Sequence, residues 1–233
     1  MGFCSTRRAC IRRSPHFGGK AMKLIIGNKK YSSWSFRPWI ALKATSIAFE
    51  EELIPFDFPG GNAAIKAATP AGKVPVLVDG AVTVWEALAI LEYLADRFPG
   101  AGLWPDDIAT RATARSYATE MHGGFGSLRN ECPMNMARPV RAIPVSDGVH
   151  RDVARVERLW AGALDASGGP FLFGAFSNAD AMFAPVVNRL EVYALSSHEA
   201  VVRYTAAMKA LPAWQEWEAA GRAEPWIVEE DEA

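Results

Sequence analysis

Three hydroxyls stand close together in YSSWSFRPWIAL, residues 31–42: Ser32, Ser33 and Ser35, set among aromatics ahead of a segment that reads as a helix with Arg37 in its first turn. Serine before a helical period is a common cap, because its oxygen accepts one of the N–H groups the first turn leaves without an intrahelical partner. At the positive end of a helix the same hydroxyls could instead donate to an anionic ligand group. Ser35 suits the cap, which leaves Ser32 and Ser33 as candidate donors. The alternative reading makes all three capping and loop residues. A second stretch, TPAGKVPVL, residues 69–77, places Val74-Pro75 just before a strand. A cis bond there would turn the chain and leave the N–H and C=O of Val74 free for an extended, peptide-like ligand. No cysteine lies between Ser32 and Ser35, which argues against disulfide exchange, a chemistry that needs the protein's own thiolate. His16, His122, His150 and His198 show no metal-ligand spacing, so no metal is expected, and Cys132 is a lone thiol.

These residues need elements to hold them. Between 23 and 98 short β-rich runs alternate with helical periods: KLIIG as a buried strand, a helix from about Ser35 to Thr45 with Pro38 in its first turn, and FEEELIPF as a second strand. Pro59, Gly60, Gly61 and Asn62 mark a loop. VPVLVDGAVTVW gives two strands around an Asp79-Gly80 hairpin, and Leu88, Leu91, Leu94, Ala95 and Phe98 give the helix that ends the unit. The order βαβ then ββα predicts a small α/β domain with a mixed sheet. After FPGAGLWPDD, residues 98–107, everything reads as helix. Ala114, Ala118, Met121, Phe125 and Leu128 form one stripe; Val149, Val153, Val156, Trp160 and Ala163 form another. A third helix starts at SNAD with Ser177 as N-cap and Asp180 completing a capping box, has Met182, Phe183, Val186, Val187 and Leu190 on its core face, and should kink at Pro185. Trp214 and Trp217 follow Pro212 as core anchors.

The totals narrow the class. The chain has 233 residues, 50% of them hydrophobic, enough for a sizeable core. A formal charge of -1 argues against a nucleic-acid partner, which calls for a basic surface. Residues 1–21 hold Arg7, Arg8, Arg12, Arg13, Lys20, Cys4 and Cys10 and no acid. They read as a disordered or mis-called extension ahead of Met22, too polar for a secretory leader although similar in composition to a transit peptide. The body keeps one cysteine, so a disulfide framework is excluded there and a reducing compartment is expected. No run approaches the roughly 18 to 20 apolar residues of a membrane span.

In combination, SSWSFRPWIAL, AGKVPVL, VWEALAILEYL and SNADAMFAPVV, in this order over residues from about 22 to 220, resemble the cytosolic glutathione transferases. The first motif is similar to the serine-type zeta pattern Ser-Ser-Cys-Ser-x-Arg, a class that includes maleylacetoacetate isomerases, with Trp34 in place of the cysteine. The resemblance implies an N-terminal thioredoxin-like domain with a mixed four-stranded sheet over 22–100, an all-helical C-terminal domain over 106–233, a cytoplasmic homodimer, and a detoxifying transferase that joins glutathione to a small hydrophobic electrophile. It assigns thiol activation to Ser33 or Ser32, and glutathione binding to Lys73, Val74, Pro75, Glu86 and Ala87. Ala87 stands where the family has a serine for the γ-glutamyl carboxylate. Trp34, Met121, Phe125 and Arg129 are the candidate electrophile pocket. The alternatives are a glutathione-dependent isomerase of a maleyl-type diacid, for which Arg37 or Arg129 would supply cationic groups, and a glutathione-binding protein without catalysis.

Overall fold

The computed structural model describes residues 21–56, 62–69 and 71–232. The readings placed on residues 1–20 and on Pro59 to Gly61 lie outside them. Strand β1 (Lys23–Ile26) leads into helix α1 (Ser33–Ala44), then β2 (Glu50–Leu53), α2 (Ala63–Ala68), β3 (Val76–Asp79), β4 (Val82–Trp85) and α3 (Ala87–Arg97). The sheet order is β2-β1-β3-β4, with β1 parallel to β2 and antiparallel to β3, and β3 antiparallel to β4. This is the thioredoxin-like arrangement. The β3–β4 hairpin turns at Gly80, whose φ of +61° favours a residue without Cβ.

A helical unit follows: α4 (Ile108–Gly123), α5 (Gly126–Glu131), α6 (Asp147–Ser167), α7 (Asn178–Val192), α8 (Glu199–Lys209) and α9 (Pro212–Ala223). Every stripe residue of α6, from Val149 to Ala163, is buried. Helix α7 is buried along nearly its whole length and anchored by the capping box of Ser177 and Asp180. The Asp180 carboxylate also accepts from the Leu172 amide at 3.0 Å and the Tyr204 hydroxyl at 2.9 Å.

The two units share a core across α1, which is buried on all sides from Ser35 to Leu42 and is apolar there except for Ser35 and Arg37, both hydrogen-bonded. Phe36 stacks on Trp217 with centroids 4.8 Å apart and meets Trp214 edge-on at 5.3 Å. Each such pair contributes about 0.5–1.5 kcal/mol beyond its area burial. Across the same seam Arg37 donates through Nε to the Met182 carbonyl of α7 at 3.0 Å, and Asn178 donates to the Leu91 carbonyl of α3 at 3.0 Å.

Three expectations are corrected. Helix α1 begins at Ser33 rather than Ser35, so Pro38 is its sixth residue and the Trp34 carbonyl cannot receive the usual amide bond. The stripe from Ala114 to Leu128 is two helices, because Gly123 and Gly124 end α4 and Phe125 sits at φ +57° before α5. A Cβ on Gly124 would come within 2.6 Å of the Glu120 carbonyl oxygen, so this helix end requires glycine. Helix α2 occupies what reads as a plain connection, capped by Asn62, which accepts the Ile65 amide at 2.9 Å.

Candidate active site

The N-terminus of α1, the turn before β3 and the N-terminus of α3 converge on one cleft, which has two connected parts. The smaller, about 190 Å³, is lined by Trp34, Ala71, Lys73, Val74, Pro75, Trp85, Glu86, Ala87, His122 and Arg129. The larger, about 630 Å³, is a size that suits a small ligand. It shares Trp34, Lys73, Val74 and Arg129 with the smaller part and adds Tyr31, Ser32, Ser33, Phe56, Lys66, Pro133, Met134, Arg189 and Asp231 among its walls.

Local geometry separates the serines. Ser35 does not cap α1: its oxygen accepts the Gly27 amide at 3.1 Å and the Ser32 hydroxyl at 2.7 Å, which ties the end of β1 to the helix. Ser32 occupies the N-cap position with its hydroxyl thus engaged and is only 6% exposed. Ser33, half-buried at the first helical position, makes no side-chain hydrogen bond among the described residues. Its carbonyl is gripped by Arg37 Nη1 at 2.7 Å, which fixes the turn.

On the opposite side the Val74-Pro75 bond is cis, and Val74 reaches both parts of the cleft. Glu86, the residue before α3, has φ +67° and ψ 126°. A non-glycine residue held there costs on the order of 1–3 kcal/mol, and Glu86 and Ala87 line the smaller part of the cleft. Ala87 is buried, Glu86 and Lys73 are exposed.

The helical wall differs from the expected one. Met121 and Phe125 do not line either part; they are buried in the core, Phe125 edge-on to Phe183 at 6.2 Å. Trp34 and Arg129 line the cleft as expected, and His122, from the last turn of α4, joins them. Trp34 is packed by the Arg37 guanidinium at 4.1 Å, by Arg129 at 5.5 Å and by the edge of His122 at 5.3 Å. Several wall residues were missed by sequence reasoning, the charged Lys66, Arg189 and Asp231 among them. Arg189 could have been suspected as the one cation within the buried face of α7. Asp231 carried no signal, because it arrives from a C-terminal tail without periodicity.

That tail is tied down by Glu224, whose carboxylate accepts the Lys29 and Lys30 amides at 2.7 and 3.0 Å, and by Glu232, which accepts from the Tyr31 hydroxyl. Burial lifts the Asp231 carboxyl to about 6 and lowers the Arg189 guanidinium to about 10. Arg37 is driven well below its usual value by burial first, then by the charges of Arg189 and Arg129. Cys132 is buried and its thiol lifted to about 11 by desolvation, which leaves it unreactive. Among the described residues no group of three or more His, Cys, Asp or Glu could hold a metal ion, and no helix is long and apolar enough to cross a membrane.

Comparison with known proteins agrees with this architecture. Residues 31–97 match the N-terminal domain of glutathione S-transferases and residues 140–220 match their C-terminal domain. The chain belongs to the glutathione S-transferase family. It is 26% identical over 163 residues to glutathione S-transferase L1 of Arabidopsis thaliana, a match covering 67% of this chain and 62% of that one. It is 28% identical over 203 residues to the maleylacetoacetate isomerase of Rattus norvegicus, covering 84% and 92%. For several curated relatives the chain spans only 46% to 62% of their length. A glutathione transferase homolog from Burkholderia, solved with bound glutathione, shares the fold with a TM-score of 0.66 at 23% identity, covering 88% of this chain and 100% of that one.

Proposed function

We propose that the protein is a glutathione transferase in which the Ser33 hydroxyl activates the glutathione thiol. The observation that carries this reading is the half-buried Ser33 hydroxyl, unengaged among the described residues, at the positive end of α1 and in the same cleft as Val74 and Glu86. In this reading the peptide part of glutathione pairs with the Val74 main chain, its ammonium with Glu86, its γ-glutamyl carboxylate with the Ala87 amide, and its glycyl carboxylate with Lys73. The thiol then lies against Ser33. A free thiol titrates near roughly 8.5, and one charge-assisted hydrogen bond supplies the roughly 1.4 kcal/mol that lowers it by a unit. The thiolate attacks an electrophilic carbon held in the larger part of the cleft: the C–S bond forms and the leaving group departs with its electron pair. Ser32 holds Ser35 and plays no direct part.

Ala87 lacks the hydroxyl of the family pattern, so glutathione is held there by main chain alone. As in the family, the working form in this reading is a homodimer. The isomerase of a maleyl-type diacid is the second reading, favoured by Arg129 and Arg189 in the cleft wall; Trp34 in place of cysteine counts against it. Conjugation of 1-chloro-2,4-dinitrobenzene, followed by absorbance alongside calorimetric glutathione binding, tests the proposal. Turnover by the wild type that falls about 100-fold in Ser33→Ala supports it. Binding with no turnover of either aryl or maleyl substrates leaves a glutathione-binding protein, and no binding at millimolar glutathione removes the assignment.

A further inference from the structure

The loop that delivers the serines is held from a distant part of the chain. Between β1 and α1 the turn folds on one carbonyl: Asn28 accepts the Tyr31 amide at 3.3 Å and the Ser32 amide at 2.7 Å. The amides of Lys29 and Lys30, in the middle of this turn, cannot reach that carbonyl, and both residues are buried. Their acceptors are the two oxygens of Glu224, at 2.7 and 3.0 Å, across 195 and 194 positions of sequence. A carboxylate that takes one amide on each oxygen makes two charge-assisted bonds and fixes the turn in direction as well as distance. Glu224 is half-buried, directly follows α9 and enters none of the ion pairs among the described residues. Gly221 lets α9 come this close: a Cβ there would lie 3.1 Å from the Lys29 carbonyl and from the Lys30 nitrogen. From the turn to the site is one step, because the Ser33 amide donates to the Tyr31 carbonyl at 2.8 Å and Ser33 opens α1.

Resting on the glutathione reading above, we propose that Glu224 is a positioning residue for the reaction: by holding the Lys29 and Lys30 amides it sets where the Ser33 hydroxyl stands relative to the bound thiol. Glu224 does more here than tether the tail, which has other fastenings. Lys30 Nζ donates to the Trp226 carbonyl at 3.2 Å, the Tyr31 hydroxyl donates to Glu232, and Asn135 donates to Glu232 at 3.1 Å. The two loop amides have no second acceptor among the described residues. Without the carboxylate they are buried donors left unmatched, and the turn must shift toward water to satisfy them. A displacement of about 1 Å in a group that acts on the reacting atoms can cost on the order of 100-fold in rate, so even a partial shift of Ser33 is felt in turnover. Glutathione, held in this reading across the cleft at Val74, Glu86, Ala87 and Lys73, keeps its anchors. Glu224 therefore acts on the chemical step and leaves substrate binding nearly untouched.

The test is a double-mutant cycle between Glu224 and Ser33 in the whole protein. It is read as kcat and KM for glutathione with 1-chloro-2,4-dinitrobenzene, and as the pKa of the bound glutathione thiol from thiolate absorbance. Glu224→Ala should lower kcat about tenfold with KM for glutathione within about twofold, and should raise the bound thiol toward its free value. Glu224→Gln keeps the shape and one acceptor oxygen, so it should fall about threefold in kcat, and it decides the matter where Glu224→Ala does not fold. In the Ser33→Ala background neither change should have a further effect on kcat or on the thiol, because the group being positioned is gone. A loss of equal size in both backgrounds, a rise in KM with kcat unchanged, or full activity in the folded Glu224 variants would overturn the proposal and leave the glutathione reading intact. A wild type that fails to bind glutathione, or binds it with a thiol that titrates as in free solution, would overturn the activated-thiol reading and this proposal with it.

Discussion

On the α/β side the cleft is lined by Ser33, Val74 beside its cis proline, Glu86 and Ala87, together with Trp34, Trp85 and the lysines Lys66 and Lys73. On the helical side it is faced by long cationic side chains, Arg129 and Arg189, delivered by α5 and α7, and by Asp231 from the tail. In the glutathione reading the first wall would hold the peptide part of the thiol, because main-chain donors and acceptors are the same whatever the side chains. The second presents charged side chains, which one substitution can change. In such a division the shared chemistry belongs to the small domain and the choice of partner to the helical one.

The largest effect should come from the scaffold of the helical wall. Asp180→Ala leaves the Tyr204 hydroxyl and the Leu172 amide without an acceptor and removes the α7 cap, so unfolding in denaturant should show a loss of about 3 kcal/mol. Burial raises the Asp180 carboxyl from 3.8 to about 6. The folded state therefore holds this proton more tightly than the unfolded chain. Its contribution to stability is complete below about pH 4 and declines as pH rises to about 6, by up to roughly 3 kcal/mol, then levels off. Asp180→Asn should flatten that slope in denaturation curves taken across the window; an unchanged slope would show that another group sets it.

Next in size, Ser33→Ala should lower kcat/KM for conjugation about 100-fold, roughly 2.7 kcal/mol of transition-state stabilisation, while Ser32→Ala costs about 1 kcal/mol of stability and little turnover. If Ser32→Ala proved the damaging change, the two serines would exchange roles. Ala87→Ser should tighten glutathione several-fold, by about 1 kcal/mol, by restoring a hydroxyl to a wall that now offers only main chain. The smallest effect is Lys73→Ala, about twofold on glutathione affinity and lost in high salt, because the ammonium is exposed. An Ala87→Ser effect smaller than that of Lys73→Ala would argue against the α3 N-terminus as the γ-glutamyl site.

The contrast between the walls is also a contrast in legibility. Short local signals marked the first: Val74-Pro75 before a strand, Asp79-Gly80 between two, serines ahead of a helix. Their consequences are fixed within a few residues by backbone sterics, so the sheet, the cis bond and α3 could be read directly. The start of α1 could not, because Ser35 is spent on the Gly27 amide, a tertiary contact that overrides the local preference of serine for a cap. The second wall depends on where helices stop and how they pack. A continuous stripe from Ala114 to Leu128 concealed the break at Gly123 and Gly124, although the same stripe placed Met121 and Phe125 on a core face, where they lie, against their reading as pocket residues. Arg189 and Asp231 lie 42 residues apart in sequence and meet only through the path of the C-terminal tail.

The most direct test is the pKa of the glutathione thiol bound to the wild type, Ser33→Ala and Ser32→Ala, read from the ultraviolet absorbance of the thiolate. The account predicts a value at least a unit below roughly 8.5 in the wild type and Ser32→Ala, and a return toward that figure in Ser33→Ala. A bound thiol that titrates like free glutathione in the wild type, or a depressed value that survives Ser33→Ala, would contradict it.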